Sequence, residues 1–206
     1  LKAQTDMHEK ISGMTTGNEN AFNLQKELGE AMTRYCTVVR RNNELETLMD
    51  QLDELDERWE HVDINDNMQS VNQSFGFTRA VYDMIQLAKA MAKGAYQRNE
   101  SRGAHYKPDY LIEKPEKEKI GEATDTDVYQ KYVKELSEKN GVELKVKEKS
   151  GAEVHPEFNE YMEKWVAQQK EWNRSTIATH KENSRPDIDY RDVQITFEPP
   201  RPRIYK

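Results

Sequence analysis

Leu45, Leu48, Leu52, Leu55, Trp59 and Val62 step by 3, 4, 3, 4 and 3 residues, and this constrains the fold more than any other feature of the sequence. That spacing places six large apolar side chains on one line of a helix, the geometry of a seam that packs on neighbouring helices. Two flanking stretches repeat the periodicity. Phe22, Leu24, Leu28, Met32, Tyr35, Cys36 and Val39 form an apolar stripe before the Asn42-Asn43 turn. Val81, Tyr82, Ile85, Ala88, Met91, Ala92 and Ala95 form another within a helix expected over 70–102. Short connections favour antiparallel neighbours, so residues 18–105 read as an up-down-up three-helix bundle after a lead-in of 1–17.

The middle helix also carries Glu44, Glu46, Asp50, Asp53, Glu54, Asp56, Glu57, Glu60 and Asp63 against a single Arg58. Carboxylate strings can bind metal or perform acid–base work. These alternate with the seam and lack the ordered spacing of a calcium loop, so they read as a solvated outer face, with an acidic docking surface as the functional alternative.

Beyond residue 110 the pattern changes. Lys, Glu and Pro dominate 113–119, which reads as a solvated linker. A helix is expected over 126–139, with Val128, Tyr132, Val133 and Leu136 inward. After the Asn140-Gly141 turn, Val142, Leu144 and Val146 alternate as a short strand. Pro156 suits the first turn of a further helix, with Phe158, Tyr161, Met162, Trp165, Val166, Gln169 and Trp172 along one side. Residues 192–198 alternate as a second strand through Val193, Ile195 and Phe197, and Pro199, Pro200 and Pro202 impose an extended tail. The expected class is therefore mainly α: an antiparallel three-helix bundle, then a smaller α+β region over 106–206 with short strands and a Pro-rich tail.

Composition narrows the function. The net charge of −7 argues against general nucleic-acid binding, which relies on a basic surface. No stretch approaches the roughly 18 to 20 apolar residues that span a bilayer, and 1–10 has no secretory pattern. The single Cys36 excludes an internal disulfide and reads as a small buried hydrophobe in a reducing compartment. His8, His61, His105, His155 and His180 are scattered singly, without zinc-ligand spacing. No G-x-G-x-x-G turn follows a strand pattern, so no dinucleotide-binding unit is expected in this chain.

The third helix closes on Gln97-Arg98-Asn99-Glu100-Ser101-Arg102-Gly103-Ala104-His105-Tyr106. Gly103 suits a left-handed position that ends a helix, and the charges around it read either as a charge-stabilised helix end or as a partner contact. For His105 a hydrogen-bonded structural role is favoured over a catalytic base. The run from Asn99 through Tyr110 resembles a motif near the C-terminal end of succinate dehydrogenase and fumarate reductase flavoprotein subunits, with a related form in L-aspartate oxidases. Leu28-Gly29-Glu30-Ala31-Met32-Thr33 with Thr37-Val38-Val39-Arg40 is similar to the first helix of that family's helical domain. Pro186-Asp187-Ile188-Asp189-Tyr190 and Pro199-Pro200-Arg201-Pro202-Arg203-Ile204-Tyr205 are similar to its tail, which favours the succinate/fumarate branch.

The resemblance implies the C-terminal portion of a larger flavoprotein. FAD and the catalytic residues would lie upstream, with no cofactor, metal or catalytic residue in this chain and no dehydrogenase activity of its own. Implied partners are the N-terminal flavin-binding domain and an iron–sulfur subunit, with membrane association on the cytoplasmic side only through partner subunits. Arg98, Glu100, Arg102 and His105 are the candidate interface residues. They are expected to hydrogen-bond across the joint to the flavin domain, since a charged helix end with no partner in its own bundle calls for one outside it. Residues 111–171 depart from the common family pattern and read as an insertion. A free-standing helical interaction module and the C-terminal part of an aspartate oxidase are the alternatives.

Overall fold

The computed structural model of the chain describes residues 2–64, 72–120, 126–146, 153–181 and 184–202. Among them the chain is mainly helical, with one small two-stranded antiparallel sheet. It divides into two compact units, one of Leu1–Asp109 with Ile177–Asp189, the other of Tyr110–Thr176 with Tyr190–Lys206.

The first unit contains α1 (Lys2–Ser12), α2 (Ala21–Tyr35), α3 (Asn42–Trp59) and α4 (Gln73–Gln97). The expected seam lies on α3 and just beyond it, and all six residues are at most 4% exposed. Trp59 is wholly buried and its indole Nε1 donates to the Thr78 carbonyl at 2.9 Å, which satisfies its one polar atom inside the core. α2, α3 and α4 pack on one another. Local chemistry starts the helices: Asn20 Oδ1 accepts from the Phe22 amide at 2.9 Å, and Asn72 Oδ1 from the Phe75 amide at 2.8 Å.

Four details differ from the periodicity. α1 packs on α4 and buries Ile11, so the 1–17 lead-in contains a helix that adds to the three. Met91 is 54% exposed although it shares the expected inward face of α4. Cys36 is buried but sits just past α2 as its cap residue, where burial pushes its thiol pKa up. The α3 carboxylates are only partly a solvated face. Asp53 and Asp56 turn to the buried Lys89 of α4, at 3.0 and 2.6 Å, because an ammonium that is 4% exposed requires anionic partners. Arg58 reaches across to Glu19 at 2.8 Å and Glu27 at 2.6 Å, and holds the Glu19 carboxyl below the usual range.

The second unit contains α5 (Lys117–Ile120), α6 (Asp127–Asn140) and α7 (Pro156–Trp172). Thr126 caps α6, and Gly141 ends it in the left-handed conformation at φ +66°, as a C-terminal glycine does. Tyr129, Tyr132, Val133, Phe158, Met162 and Trp165 fill the core between α6 and α7. The 113–119 linker is helical at its end: Lys119 pairs with Glu157 at 2.9 Å and Ile120 packs on this core.

The sheet pairs β1 (Arg174–Thr179) with β2 (Asp187–Asp192). Neither expected strand coincides with them. Described residues 142–146 carry no strand, and 193–198 run irregularly, with Val193 40% and Phe197 87% exposed. Alternation marks a segment able to lie in a sheet, but a strand forms only where a second backbone takes up its hydrogen bonds. Beyond the sheet the tail lies on the second unit, where the Tyr129 hydroxyl donates to the Pro200 carbonyl at 3.2 Å. Within the tail, Arg203, Ile204 and Tyr205 fall outside the described residues.

Candidate functional site

The charged run at the end of α4 folds back on itself. Arg98 leaves the helix in an extended conformation, its amide still donating to the Gly94 carbonyl at 3.1 Å. The Arg102 amide donates to the His105 carbonyl at 2.7 Å and the His105 amide to the Arg102 carbonyl at 3.0 Å. These two bonds make a tight reversal, and Gly103 at its tip has φ +58°. The glycine thus serves this turn, not the helix end several residues earlier. The chain then pairs with the segment after α2: the Tyr106 amide donates to the Val38 carbonyl at 3.1 Å, and the Arg40 amide to the Tyr106 carbonyl at 2.9 Å.

This backbone brings all four candidates together. Glu100 is completely buried and accepts from Arg98 and, at 2.9 Å, from Arg102 Nε. His105 Nε2 lies 2.9 Å from the Arg98 carbonyl oxygen, and its Nδ1 lies 2.8 Å from an Arg40 guanidinium nitrogen. A carbonyl can only accept and a guanidinium only donate, so Nε2 carries the proton, Nδ1 accepts, and the ring is neutral. Burial holds the His105 pKa below its ordinary value; the Arg98 carbonyl opposes that, and the charges of Arg40 and Lys107 add to it. Both ring nitrogens are thus engaged within this unit.

Lys107 completes the cluster. Its side chain is wholly buried, and Nζ donates to Asn42 Oδ1 at 2.7 Å, the Tyr96 carbonyl at 2.9 Å and Asn99 Oδ1 at 3.1 Å. Burial, and then the nearby Arg40 charge, push its pKa down to about 8, against a pull from Asp109. The ammonium therefore ties the first residue of α3 to the last turn of α4 and the exit loop. Together the two arrangements clasp three chain segments at one end of the bundle.

The expectation that Arg98, Glu100, Arg102 and His105 lack partners within their own bundle is thus overturned. They satisfy one another and Arg40, because a buried carboxylate is tolerated only with cations at hand. The sequence reading placed Asn42 in a turn and Arg40 and Lys107 within family-like runs, and expected none of them in this cluster. Their contacts to this loop span 65 residues, for which helical periodicity holds no signal.

A second charged cluster lies in the same unit. Arg185 donates to Asp53 Oδ2 and Asp50 Oδ1, both at 2.6 Å, beside Lys89 and Asp56. Arg185, Asp53, Asp56 and Lys89 border a cleft of about 840 Å³ that His180 and Lys10 also line. Among the described residues no group of three His, Cys, Asp or Glu side chains is placed to hold a metal ion. No described helix is long and apolar enough to cross a membrane.

Comparison with known proteins gives a consistent picture. The pattern of the family described as Fumarate reductase flavoprotein C-term matches residues 25–205. The succinate dehydrogenase flavoprotein subunit of Bacillus subtilis is 41% identical over 92% of this chain and 23% of its own length. The fumarate reductase flavoprotein subunit of Proteus vulgaris is 34% identical over 53% of this chain and 19% of its own. This chain therefore spans about a quarter or less of the curated relatives it matches. Among solved structures, a substituted FrdA chain of E. coli quinol fumarate reductase shares the fold with a TM-score of 0.63 at 22% identity, over 100% of this chain and 27% of that one. A quinol-fumarate reductase with menaquinol gives a TM-score of 0.58 at 21% identity, over 95% of this chain and 25% of that one.

Proposed function

The chain belongs to the fumarate reductase flavoprotein C-terminal family, and from that premise we propose that it braces the flavin-bearing portion of a succinate dehydrogenase or fumarate reductase. The whole enzyme would interconvert succinate and fumarate through FAD and pass electrons to or from an iron–sulfur subunit. Membrane association, on the cytoplasmic side, would come through partner subunits.

The observation that carries this reading is the clasp around Glu100. Its charges pair with one another and its histidine is neutral and doubly bonded, so it fixes the shape of a helix end. Arg98, Arg102 and His105, held in place by the buried Glu100, then present a rigid surface to the flavin domain, with Arg102, which is 42% exposed, at its outer edge. Among the described residues nothing forms the dinucleotide-binding unit that FAD takes. A dinucleotide requires a strand leading through a glycine-rich turn into a helix, whereas β1 and β2 pair with each other and neither runs into a helix. We assign the flavin to the portion outside this chain.

We read residues 111–171 as an insertion within the 106–206 region, and the family pattern runs across them.

The test is to purify from the source cells the polypeptide carrying this sequence, record its flavin absorbance, and assay succinate-dependent reduction of an artificial acceptor. Turnover by a flavin-bearing polypeptide supports the reading. Turnover with aspartate in place of succinate moves the protein to the aspartate oxidases, and a flavin-free polypeptide of 24.2 kDa overturns the reading.

A further inference from the structure

One face of α4 is unlike the rest of this heavily charged chain. Phe77, Ala80, Met84, Leu87, Met91 and Gly94 step by 3, 4, 3, 4 and 3 residues. This is the spacing that α3 uses for its buried seam, and it carries no charge over five turns. On α4 the middle of this line faces outward, with Met84 41%, Leu87 65% and Met91 54% exposed, while Phe77 at its start is partly buried against the core. The buried side of the same helix is a separate line through Thr78, Val81, Ile85, Ala88, Ala92 and Ala95. α4 thus has a second apolar face besides its buried one, and among the described residues Met84, Leu87 and Met91 on it stay exposed.

Near its start the outer line is extended by Phe22 of α2, which stacks on Phe77 with ring centroids 4.1 Å apart and is itself 57% exposed. Large side chains alternating with Ala80 and Gly94 make knobs with shallow gaps between them, a relief into which an opposing surface can settle. A continuous exposed apolar strip of this kind marks an interaction surface.

We infer that this outer face of α4 docks against an apolar surface of the flavin-bearing portion of the same polypeptide. The inference rests on the function proposed above. What commits it to that occupant is length: the curated relatives carry roughly three quarters of their residues beyond the segment matched here, joined covalently to a bundle of this fold. A covalently attached domain acts at high effective concentration, so an apolar strip of three exposed large residues suffices to hold it.

Met84 and Met91 are built-in reporters, since thioether oxidation by peroxide follows exposure. The native polypeptide purified from the source cells is treated with hydrogen peroxide, and each methionine is quantified by mass spectrometry against the urea-unfolded protein. In a flavin-bearing polypeptide, Met84 and Met91 are expected to oxidise about tenfold more slowly than in the unfolded chain, together with the buried Met49 and Met162. Oxidation within about twofold of the unfolded rate, in a polypeptide that does bear flavin, overturns the inference and leaves the proposed function standing. A flavin-free polypeptide of 24.2 kDa removes both. Protection that weakens on dilution assigns the face to a second copy and also overturns it. Leu87→Glu in the flavoprotein should speed oxidation of Met84 and Met91 about fivefold while Met49 and Met162 stay slow. Unchanged rates in that variant count against the docking.

Discussion

Arg102 reaches from solvent to Glu100: its side chain is 42% exposed, yet its Nε lies 2.9 Å from an oxygen of a carboxylate with no exposed surface. The two partners should respond unequally to mutation. Glu100→Ala leaves Arg98, whose side chain is only 17% exposed, and Arg102 facing an empty buried site, and about 3 kcal/mol of stability should be lost. Arg102→Ala removes a partly hydrated cation and leaves Arg98 on the carboxylate, and about 1 kcal/mol is expected. Urea unfolding of both variants checks this. Equal losses would mean that the burial of Glu100 contributes nothing to the clasp.

His105 makes the clasp sensitive to acid. Its pKa is depressed in the fold by burial first and then by Arg40 and Lys107. The unfolded chain therefore takes up a proton before the folded chain does as pH falls. The resulting stability is fully present above the unfolded value of about 6.5 and is lost as pH falls from there through the folded pKa. Protonation would also place a hydrogen on Nδ1 against the Arg40 guanidinium. His105→Gln should flatten the pH dependence of unfolding between about pH 7 and 5 relative to the wild type, by at most about 1.4 kcal/mol per pH unit. Parallel curves for the two proteins would show that the ring is not held neutral.

Lys107 acts at the other end of the scale. Its folded pKa of about 8 lies below its ordinary value of 10.5. Both states are protonated below about pH 8, and between there and 10.5 the unfolded chain binds more protons, so stability rises with pH across that window. Lys107→Met removes the contribution. The wild type minus variant difference should therefore climb from pH 8 to pH 10 in urea unfolding. The offset at pH 7 should favour the wild type by about 2 kcal/mol, because the variant leaves the Asn42, Asn99 and Tyr96 oxygens without this donor. A difference that stays flat over the window would place the ammonium pKa near its normal value.

The legible parts of this fold are those whose physics is local. The α3 seam, the helix after Thr126, Pro156 at the start of α7 and the turn at Gly141 each depend on a few neighbouring residues, and each falls close to where the sequence places it. Met91 shows where periodicity runs out, because it continues an apolar line without revealing which of two lines on α4 the bundle covers. The 192–198 alternation fails for a related reason, since a strand depends on a second backbone as much as on its own residues. The candidate loop was visible as a cluster of charges, but its meaning was not. Glu100 pairs with the nearby Arg98 and Arg102, but the loop that brings them together is held through His105 and Lys107 by Arg40 and Asn42, far away in sequence, and by a two-residue reversal at Gly103.

Gly17 offers a sharper test of backbone geometry, because its importance lies in proximity and not in an unusual torsion. The segment from Gly17 to Glu19 lies against the chain that leaves α3: the amides of Asn18 and Glu19 both donate to the His61 carbonyl at 3.0 Å, and the Asp63 amide donates to the Glu19 carbonyl at 3.0 Å. A Cβ on residue 17 would fall 2.0 Å from the His61 carbonyl oxygen and 2.6 Å from its carbon. Neither atom is the free end of a side chain, so relief requires the two backbones to separate, which weakens those three hydrogen bonds together. It would also disturb Glu19, whose carboxylate is held by Arg58 at 2.8 Å. Gly17→Ala should therefore cost about 1–3 kcal/mol, although alanine ordinarily stabilises a chain by reducing the freedom of its unfolded state. Gly29→Ala is the matched control, since nothing stands within 4 Å of a Cβ there on the surface of α2. That variant should gain about 0.5–1 kcal/mol from helix propensity. Opposite shifts in the thermal unfolding midpoint are the expected result, and a neutral Gly17→Ala would show that the two segments are not in contact.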